Sequence, residues 1–379
     1  MLAFVLLALA AGIVFYTMIG YPLLLRRSSA AAPPVRKDPG FQTTVSVIIA
    51  VHNGAQFLRA KLESLLALNY PRELVTIFIV SDRSTDASES IAREFSSQGV
   101  CLLRSSAPGK AAALNAGLEQ ASGEILFYTD VRQPLHPDAL RHLVANFADP
   151  SVGAVTGEMR LLRPDTGEQA DMDLYWRYEL WARTRHSQID SLFNTTGCIY
   201  AMRRALAEPI PADTLSDDAI LPLRAFFRGY RVVFDPNALA YDHPAVAGTE
   251  FRRRMRNLAG LWQVHTRNPQ LFTGANRMRF HFLSHKFLRL VLPWSLLAGV
   301  VATLALPDSS LRDGLLAGEL VFFLLAAIAP LLPARLPGRR IASMARTFLV
   351  MNASALAAVV VFLIPAQRLW SPTRVTRRS

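Results

Sequence analysis

Apolar positions are spread unevenly along this chain. Residues 2–25 carry no charge. As a helix they would rise about 36 Å, enough to cross a hydrocarbon core of about 30 Å. A cleaved signal peptide needs a basic start and a shorter apolar stretch, and neither is present. The expectation is therefore a retained anchor. Arg26 and Arg27 follow at once, which by the positive-inside rule puts the next segment in the cytoplasm. Apolar density returns at 290–306, at 314–333 (interrupted only by Glu319) and at 347–365. These are three further candidate spans, with a buried helical bundle as the alternative. Ahead of them, RMRFHFLSHKFLRL mixes basic and apolar residues as a helix lying in a membrane interface does. Arginines at 335, 339, 340 and 346, and others in the tail, both favour the cytoplasmic side. Both preferences hold only if one segment is re-entrant or interfacial.

The middle of the chain has a different rhythm. TVSVIIAV at 44–51 is a short β-branched run, and Leu58, Leu62, Leu65, Leu66 and Leu68 recur at helical spacing. A second strand is predicted at 75–80, a helix at 86–96, a strand at 99–103, a helix at 109–121 and a strand at 124–129. Strands alternating with helices predict a mostly parallel sheet covered on both faces. In such sheets ligands bind outside the carboxyl ends of the strands. The polar clusters there are His52-Asn53-Gly54, then Ser81 to Asp86, then Asp130-Val131-Arg132-Gln133, with Gly109-Lys110 between them. Taken singly, Asp86 reads as a helix cap, Lys110 as a solvated lysine and Asp130 as a turn residue. Their convergence on one edge of one sheet argues for a site.

Composition narrows the classes. The chain is 51% hydrophobic and only 18% charged, which excludes a disordered protein and departs from an ordinary soluble enzyme. The charge, 41 basic minus 29 acidic residues or +12, suits nucleic acid or an anionic membrane surface. The excess sits beside the apolar segments (Arg26, Arg27, Arg252 to Arg254, the tail) and no nucleic-acid motif accompanies it, so the membrane is the better partner. Two cysteines make no disulfide framework. His136, His186 and His243 show no metal-ligand spacing.

The chemistry of that edge follows from its residue types. A carboxylate at a strand tip suits a divalent cation, Mg²⁺ or Mn²⁺, whose other ligands are phosphate oxygens. Lys110 would offer a point charge to a phosphate, and Asp82 would accept hydrogen bonds from a base or ribose. Neither a G-x-x-x-x-G-K-[ST] loop nor a G-x-G-x-x-G turn is present, so a P-loop enzyme is excluded and a dinucleotide site is not expected.

The segments VSVIIAVHNG, VSDRSTD, GKAAALNAGL and FYTDVRQ resemble those of family-2 glycosyltransferases with a GT-A fold. The likeness continues through GAVTGEM, SDDAILPLRAFFRGYRVVFDP and RRRMRNLAG, over roughly 44–265, and the flanking spans resemble the membrane-bound branch that includes bacterial polysaccharide synthases. The resemblance implies an α/β GT-A domain with a mostly parallel, Rossmann-like sheet, flanked by transmembrane helices. It implies that His52, Asn53, Asp82 and Lys110 meet the donor, that Asp130 is the metal-binding acid of a D-x-D motif, and that Asp217 and Asp218 are the acidic pair, Asp218 the catalytic base. Arg256 stands where Q-x-x-R-W has its arginine, with Arg253 and Arg256 near acceptor or diphosphate. Three departures qualify this. Arg132 replaces the second acid of D-x-D and puts a positive charge near the diphosphate, so metal dependence is a weaker expectation than in the family at large. Gly54 stands where many relatives carry Glu. Arg253 and Asn257 replace the glutamine and tryptophan of Q-x-x-R-W, which weakens the expectation of processive synthesis.

The Asp217-Asp218 pair also reads as the capped start of an apolar helix. Residues 171–190, with Tyr175, Trp176, Tyr178 and Trp181, read better as an amphipathic helix packed on the sheet than as a sugar-stacking acceptor site. The expected organisation is an anchor at 1–25, a linker at 26–43, a glycosyltransferase domain at 44–270, an interface segment at 271–289, spans at 290–366 and a basic tail at 367–379. The expected function is an inverting transfer, at a bacterial inner membrane, from a nucleotide-diphosphate sugar to a lipid-linked or polysaccharide acceptor, with other envelope-biosynthesis subunits as possible partners. A non-catalytic scaffold that binds a nucleotide sugar is the alternative.

Overall fold

The computed structural model describes residues 1–163, 174–243, 250–333, 336 and 338–369. The chain divides into two compact units, an α/β unit beginning at Ser28 and a helical unit made of Met1–Arg27 and Ala247–Ile364.

In the α/β unit, seven strands form one sheet: β1 (Val45–Val51), β2 (Val75–Ser81), β3 (Val100–Arg104), β4 (Ile125–Tyr128), β5 (Val152–Leu161), β6 (Tyr200–Arg203) and β7 (Arg231–Asp242). Their order is β3-β2-β1-β4-β6-β5-β7. β1 pairs in parallel with β2 and β4, β2 with β3, and β5 with β7. β6 pairs antiparallel with both neighbours, so it alone is reversed. The carboxyl ends of six strands and the amino end of β6 therefore share one edge. The strands are apolar runs because helices cover both faces, and Val47, Ile48 and Ile49 are all buried although their side chains alternate. Helix Ala55–Leu66 buries Leu58, Leu62 and Leu65, each worth about 1.5–3 kcal/mol. A fourth residue, Lys61, is buried on that same face.

The segment read from sequence as a linker is strapped to this unit. Ala31 and Ala32 N–H both reach the carbonyl of Ile189 at 2.9 Å, and Lys37 pairs with buried Asp235 at 2.6 Å. Helix Leu174–Ile189 lies along β7: Ser187 Oγ accepts from Phe234 N–H, and its carbonyl accepts from Arg231. That agrees with the amphipathic reading of 174–190, while 171–173 lie outside the described residues.

Among the described residues, the helical unit holds four helices long and apolar enough to cross a membrane: Leu2–Arg27, Arg279–Leu304, Ser310–Leu331 and Arg339–Phe362. Two of these differ from the sequence expectation. The stretch read as a separate interface segment runs directly into the second span, because its polar groups find partners inside the unit. Tyr21 Oη lies 3.1 Å from His281 Nδ1, and Tyr16 Oη lies 2.7 Å from Ser284 Oγ. The last span starts at Arg339, well before 347, and takes up Arg339, Arg340 and Arg346; Arg335 and the tail beyond 369 lie outside the described residues. Glu319, in the middle of the third of these helices, accepts a hydrogen bond from Thr303 Oγ1 at 2.9 Å, which gives this acid a partner within the unit. Helix Glu250–Arg267 belongs to this unit and not, as a boundary at 270 would have it, to the α/β unit. Its apolar side packs on the last span, with the Trp262 and Phe362 rings 6.1 Å apart.

Candidate active site

The shared sheet edge carries the polar clusters read from the sequence. β1 delivers His52 and Asn53, β2 delivers Asp82, β4 delivers Asp130, and two helix starts deliver Lys110 and Asp217-Asp218. Three of the loops are stitched together. His52 Nδ1 lies 2.7 Å from the Asp82 carbonyl, and Asp82 Oδ1 accepts from Gly109 N–H at 2.9 Å. Asn53, in the left-handed region at φ 50°, accepts from Thr85 N–H through Oδ1 at 2.8 Å. Asn53 and one oxygen of Asp82 thus hold loops in place. Asp86 does the same, accepting from Ala55 N–H and Ser88 N–H, which agrees with the capping reading.

The centre of the edge is Lys110. Its Nζ lies 3.0 Å from Asp130 Oδ1 and 3.1 Å from Asp217 Oδ1. Burial works against its charge, but the carboxylates of Asp130, Asp217 and Asp218 outweigh burial, so its pKa is raised and it stays an ammonium. Asp218, next to Asp217, is half-buried beside Gly197, where an added Cβ would stand 3.6 Å from Asp218 Oδ2. Its backbone is fixed by Thr195, whose N–H and Oγ1 both donate to the Asp218 carbonyl at 2.8 Å. Burial, then the neighbouring Asp217 charge, push its carboxyl up to about 7, against the pull of Lys110. A carboxyl at that value is matched to taking a proton near neutral pH. Helix Asp217–Phe227 does start here, as expected, but the capping reading is not borne out, since Ser216 makes no side-chain cap bond.

Arg132, expected to put a positive charge near the diphosphate, forks onto Asp242 with two bonds, Nε to Oδ1 at 3.1 Å and Nη2 to Oδ2 at 2.7 Å. Asp242 is buried at the end of β7 and also accepts from Gln133 Nε2 at 2.8 Å. Arg253 and Arg256 sit on helix Glu250–Arg267, which belongs to the helical unit. Gly54 has a packing reason: a Cβ there would meet Val51 Cγ1 at 2.9 Å and Val131 at 3.3 Å.

The donor set for a metal is thin. Among the described residues no group of three His, Cys, Asp or Glu side chains converges as a metal site. Asp130 offers a partly exposed carboxylate just beyond β4, which fits a cation that takes most of its ligands from substrate phosphates and water.

Sequence reasoning missed Asp242, Tyr200 and Lys61. Tyr200 stacks on Tyr128 with centroids 4.9 Å apart and points its hydroxyl at Asp217 from 3.4 Å. The signal for Lys61 was present: it falls three after Leu58 and four before Leu65, on the apolar face.

Comparison with known proteins agrees with this arrangement. The model of the family described as "Glycosyl transferase family 2" matches residues 46–210. The probable glycosyltransferase YdaM of Bacillus subtilis is 26% identical over 63% of this chain and 60% of its own length. Poly-beta-1,6-N-acetyl-D-glucosamine synthase of Staphylococcus aureus is 23% identical over 62% of this chain and 58% of its own. The chain thus spans about 60% of the length of these relatives. Among solved structures, the mannosyltransferase PcManGT from Pyrobaculum calidifontis, in complex with GDP-Man and Mn²⁺, superposes with a TM-score of 0.73 at 25% identity, covering 94% of this chain and 99% of that one. Residues 46–210 thus match the model of glycosyltransferase family 2, and the sheet order and superposition give the chain a GT-A fold like that of PcManGT.

Proposed function

We propose that this protein is a membrane-anchored, inverting glycosyltransferase that moves a sugar from a nucleotide-diphosphate donor to a lipid-linked or polysaccharide acceptor, its α/β unit on the cytoplasmic side. The observation that carries this reading is one ammonium, Lys110, between two carboxylates at a sheet edge, with a third, Asp218, poised near neutrality.

Asp218 takes the proton from the acceptor hydroxyl as its oxygen forms a bond to the anomeric carbon. The bond to the nucleoside diphosphate breaks on the opposite face, which inverts the configuration. Lys110 places its charge where the leaving diphosphate gathers negative charge. Asp82 and His52 line the nucleoside side of the pocket. Asp130 would hold a Mg²⁺ or Mn²⁺ ion, which when bound supplies further charge neutralisation to the diphosphate. Arg253 and Arg256 are assigned to the acceptor or diphosphate by motif position.

Four membrane-length helices support an acceptor that is itself membrane-associated. The PcManGT complex makes GDP-mannose the first donor to try, followed by UDP-linked sugars. The test is to incubate membranes containing the protein with labelled nucleotide sugars. Transfer that disappears in Asp218→Asn supports the reading. No turnover of any donor, or an unaffected variant, sinks it. Donor binding without transfer would turn the protein into a nucleotide-sugar-binding scaffold.

A further inference from the structure

Lys61 stands on helix Ala55–Leu66 with only 1% of its surface exposed. Its Nζ donates to Thr129 Oγ1 at 2.7 Å and to the Gln133 carbonyl at 2.6 Å. Those two acceptors bracket Asp130-Val131-Arg132. Thr129 Oγ1 gives its own proton to the Cys198 carbonyl at 2.6 Å, which leaves its lone pairs for the lysine. On the other side, Asp242 grips Arg132 and the Gln133 side chain. The turn that carries Asp130 is therefore tied at both ends by one buried amine and at one side by β7.

Packing alone does not explain a lysine here. Burial disfavours its charge and pulls its pKa down to about 7. A methionine of similar length would fill the same space without a buried polar head. What the lysine adds is two short hydrogen bonds to one turn. That turn presents the carboxylate that Lys110 contacts at 3.0 Å.

We propose that Lys61 is a positioning residue: through Thr129 and Gln133 it fixes the Asp130 turn in the placement that diphosphate binding requires. This rests on the nucleotide-sugar reading above. Lys61 touches no substrate itself. Loss of its two bonds frees a five-residue turn, and the carboxylate at its centre loses its set distance from Lys110.

Calorimetric titration of the purified full chain with UDP, GDP, ADP and TDP in MnCl₂ tests this, continuing with whichever nucleotide the wild type binds. Lys61→Met and Thr129→Val are each expected to weaken binding about ten- to a hundred-fold, as loss of a supporting shell around a ligating group does. Thr129→Val keeps the side chain's shape but takes a buried partner from the Lys61 amine and the Cys198 carbonyl, so its thermal midpoint without nucleotide should fall by a few degrees with the fold retained. In an Asp130→Asn background the added effect of Lys61→Met should shrink to within about two-fold, because both act through one carboxylate. A wild-type affinity in the Lys61→Met protein, or the same fold-loss with and without Asp130, overturns the proposal and leaves the glycosyltransferase reading standing. If Lys61→Met does not fold, Thr129→Val carries the same cycle with the same two outcomes. A wild type that binds none of the four nucleotides overturns the donor reading and this inference together.

Discussion

Arg132 and Asp242, 110 residues apart, form a two-bond fork at 3.1 and 2.7 Å at the end of β4 and β7. This pair occupies the place where the D-x-D pattern would have its second acid. Removing one partner of a buried pair leaves an uncompensated charge, at a cost of about 3–5 kcal/mol. Arg132→Ala should therefore lower the thermal midpoint by several degrees, and Arg132→Asp, which restores the motif on paper, should lower it further by facing Asp242 with a like charge. Arg132→Ala combined with Asp242→Asn should recover much of the loss. A midpoint in Arg132→Asp equal to wild type would show that the fork does not hold the turn.

Asp218 gives a pH signature. Its carboxyl sits near 7 in the folded chain, against about 3.9 in an unfolded one. The acid form takes no proton, so kcat/KM should fall below a midpoint near pH 7, and Asp218→Asn should lose about 10²–10⁴-fold together with that acid limb. The stability effect has the opposite sign. Between pH 4 and 7 the folded state binds more protons than the unfolded state, so stability declines as pH rises through that window. Above pH 7, Asp218→Asn should then melt at or above the wild-type temperature. A variant that is both inactive and strongly destabilised at pH 8 would mark Asp218 as a structural acid.

Cation binding should depend on nucleotide. With a single expected ligand, Asp130, and no three-ligand cluster among the described residues, Mn²⁺ alone should bind weakly, at about millimolar concentrations. A nucleoside diphosphate supplies the missing oxygens and should tighten Mn²⁺ binding by at least ten-fold in the same titration. Micromolar Mn²⁺ binding without nucleotide would point to a metal site built by protein alone.

Much of this was legible before the fold was seen, for identifiable reasons. β1 and β2 are short β-branched runs and β4 a short apolar one, all buried on both faces, and the polar residues that follow them stand at the sheet edge. That made Asp82, Lys110 and Asp130 readable. Contacts between distant segments were not. Nothing local in Arg132 says that Asp242 will meet it, and no spacing rule joins Lys61 to Thr129. Helix Glu250–Arg267 falls on the other side of the expected boundary: its motif resemblance and its six charged residues read as part of the α/β domain, while the contact of Trp262 with Phe362 is not visible in sequence. The span starting at Arg339 began too late, since basic residues at a helix start hide it from a hydropathy reading.

Gly109 offers the sharpest separation of backbone from chemistry. It adopts φ 104° and ψ 151°, a region held essentially by glycine, and it immediately precedes Lys110. An added Cβ would find its nearest neighbour, the Ala212 carbonyl, 4.0 Å away, so a side chain there fits sterically and the penalty is conformational. Gly109→Ala should therefore cost about 1–3 kcal/mol. Relief of that strain means rotating the chain just before Lys110 and giving up the Gly109 N–H bond to Asp82. Nucleotide affinity should fall along with stability. Gly229→Ala is the control: it also has positive φ, 88°, with open space around it, but lies at the far end of the helix that begins with Asp217. It should lose comparable stability with nucleotide affinity unchanged. Equal losses of affinity in the two variants would mean that binding tracks global stability and not the placement of Lys110.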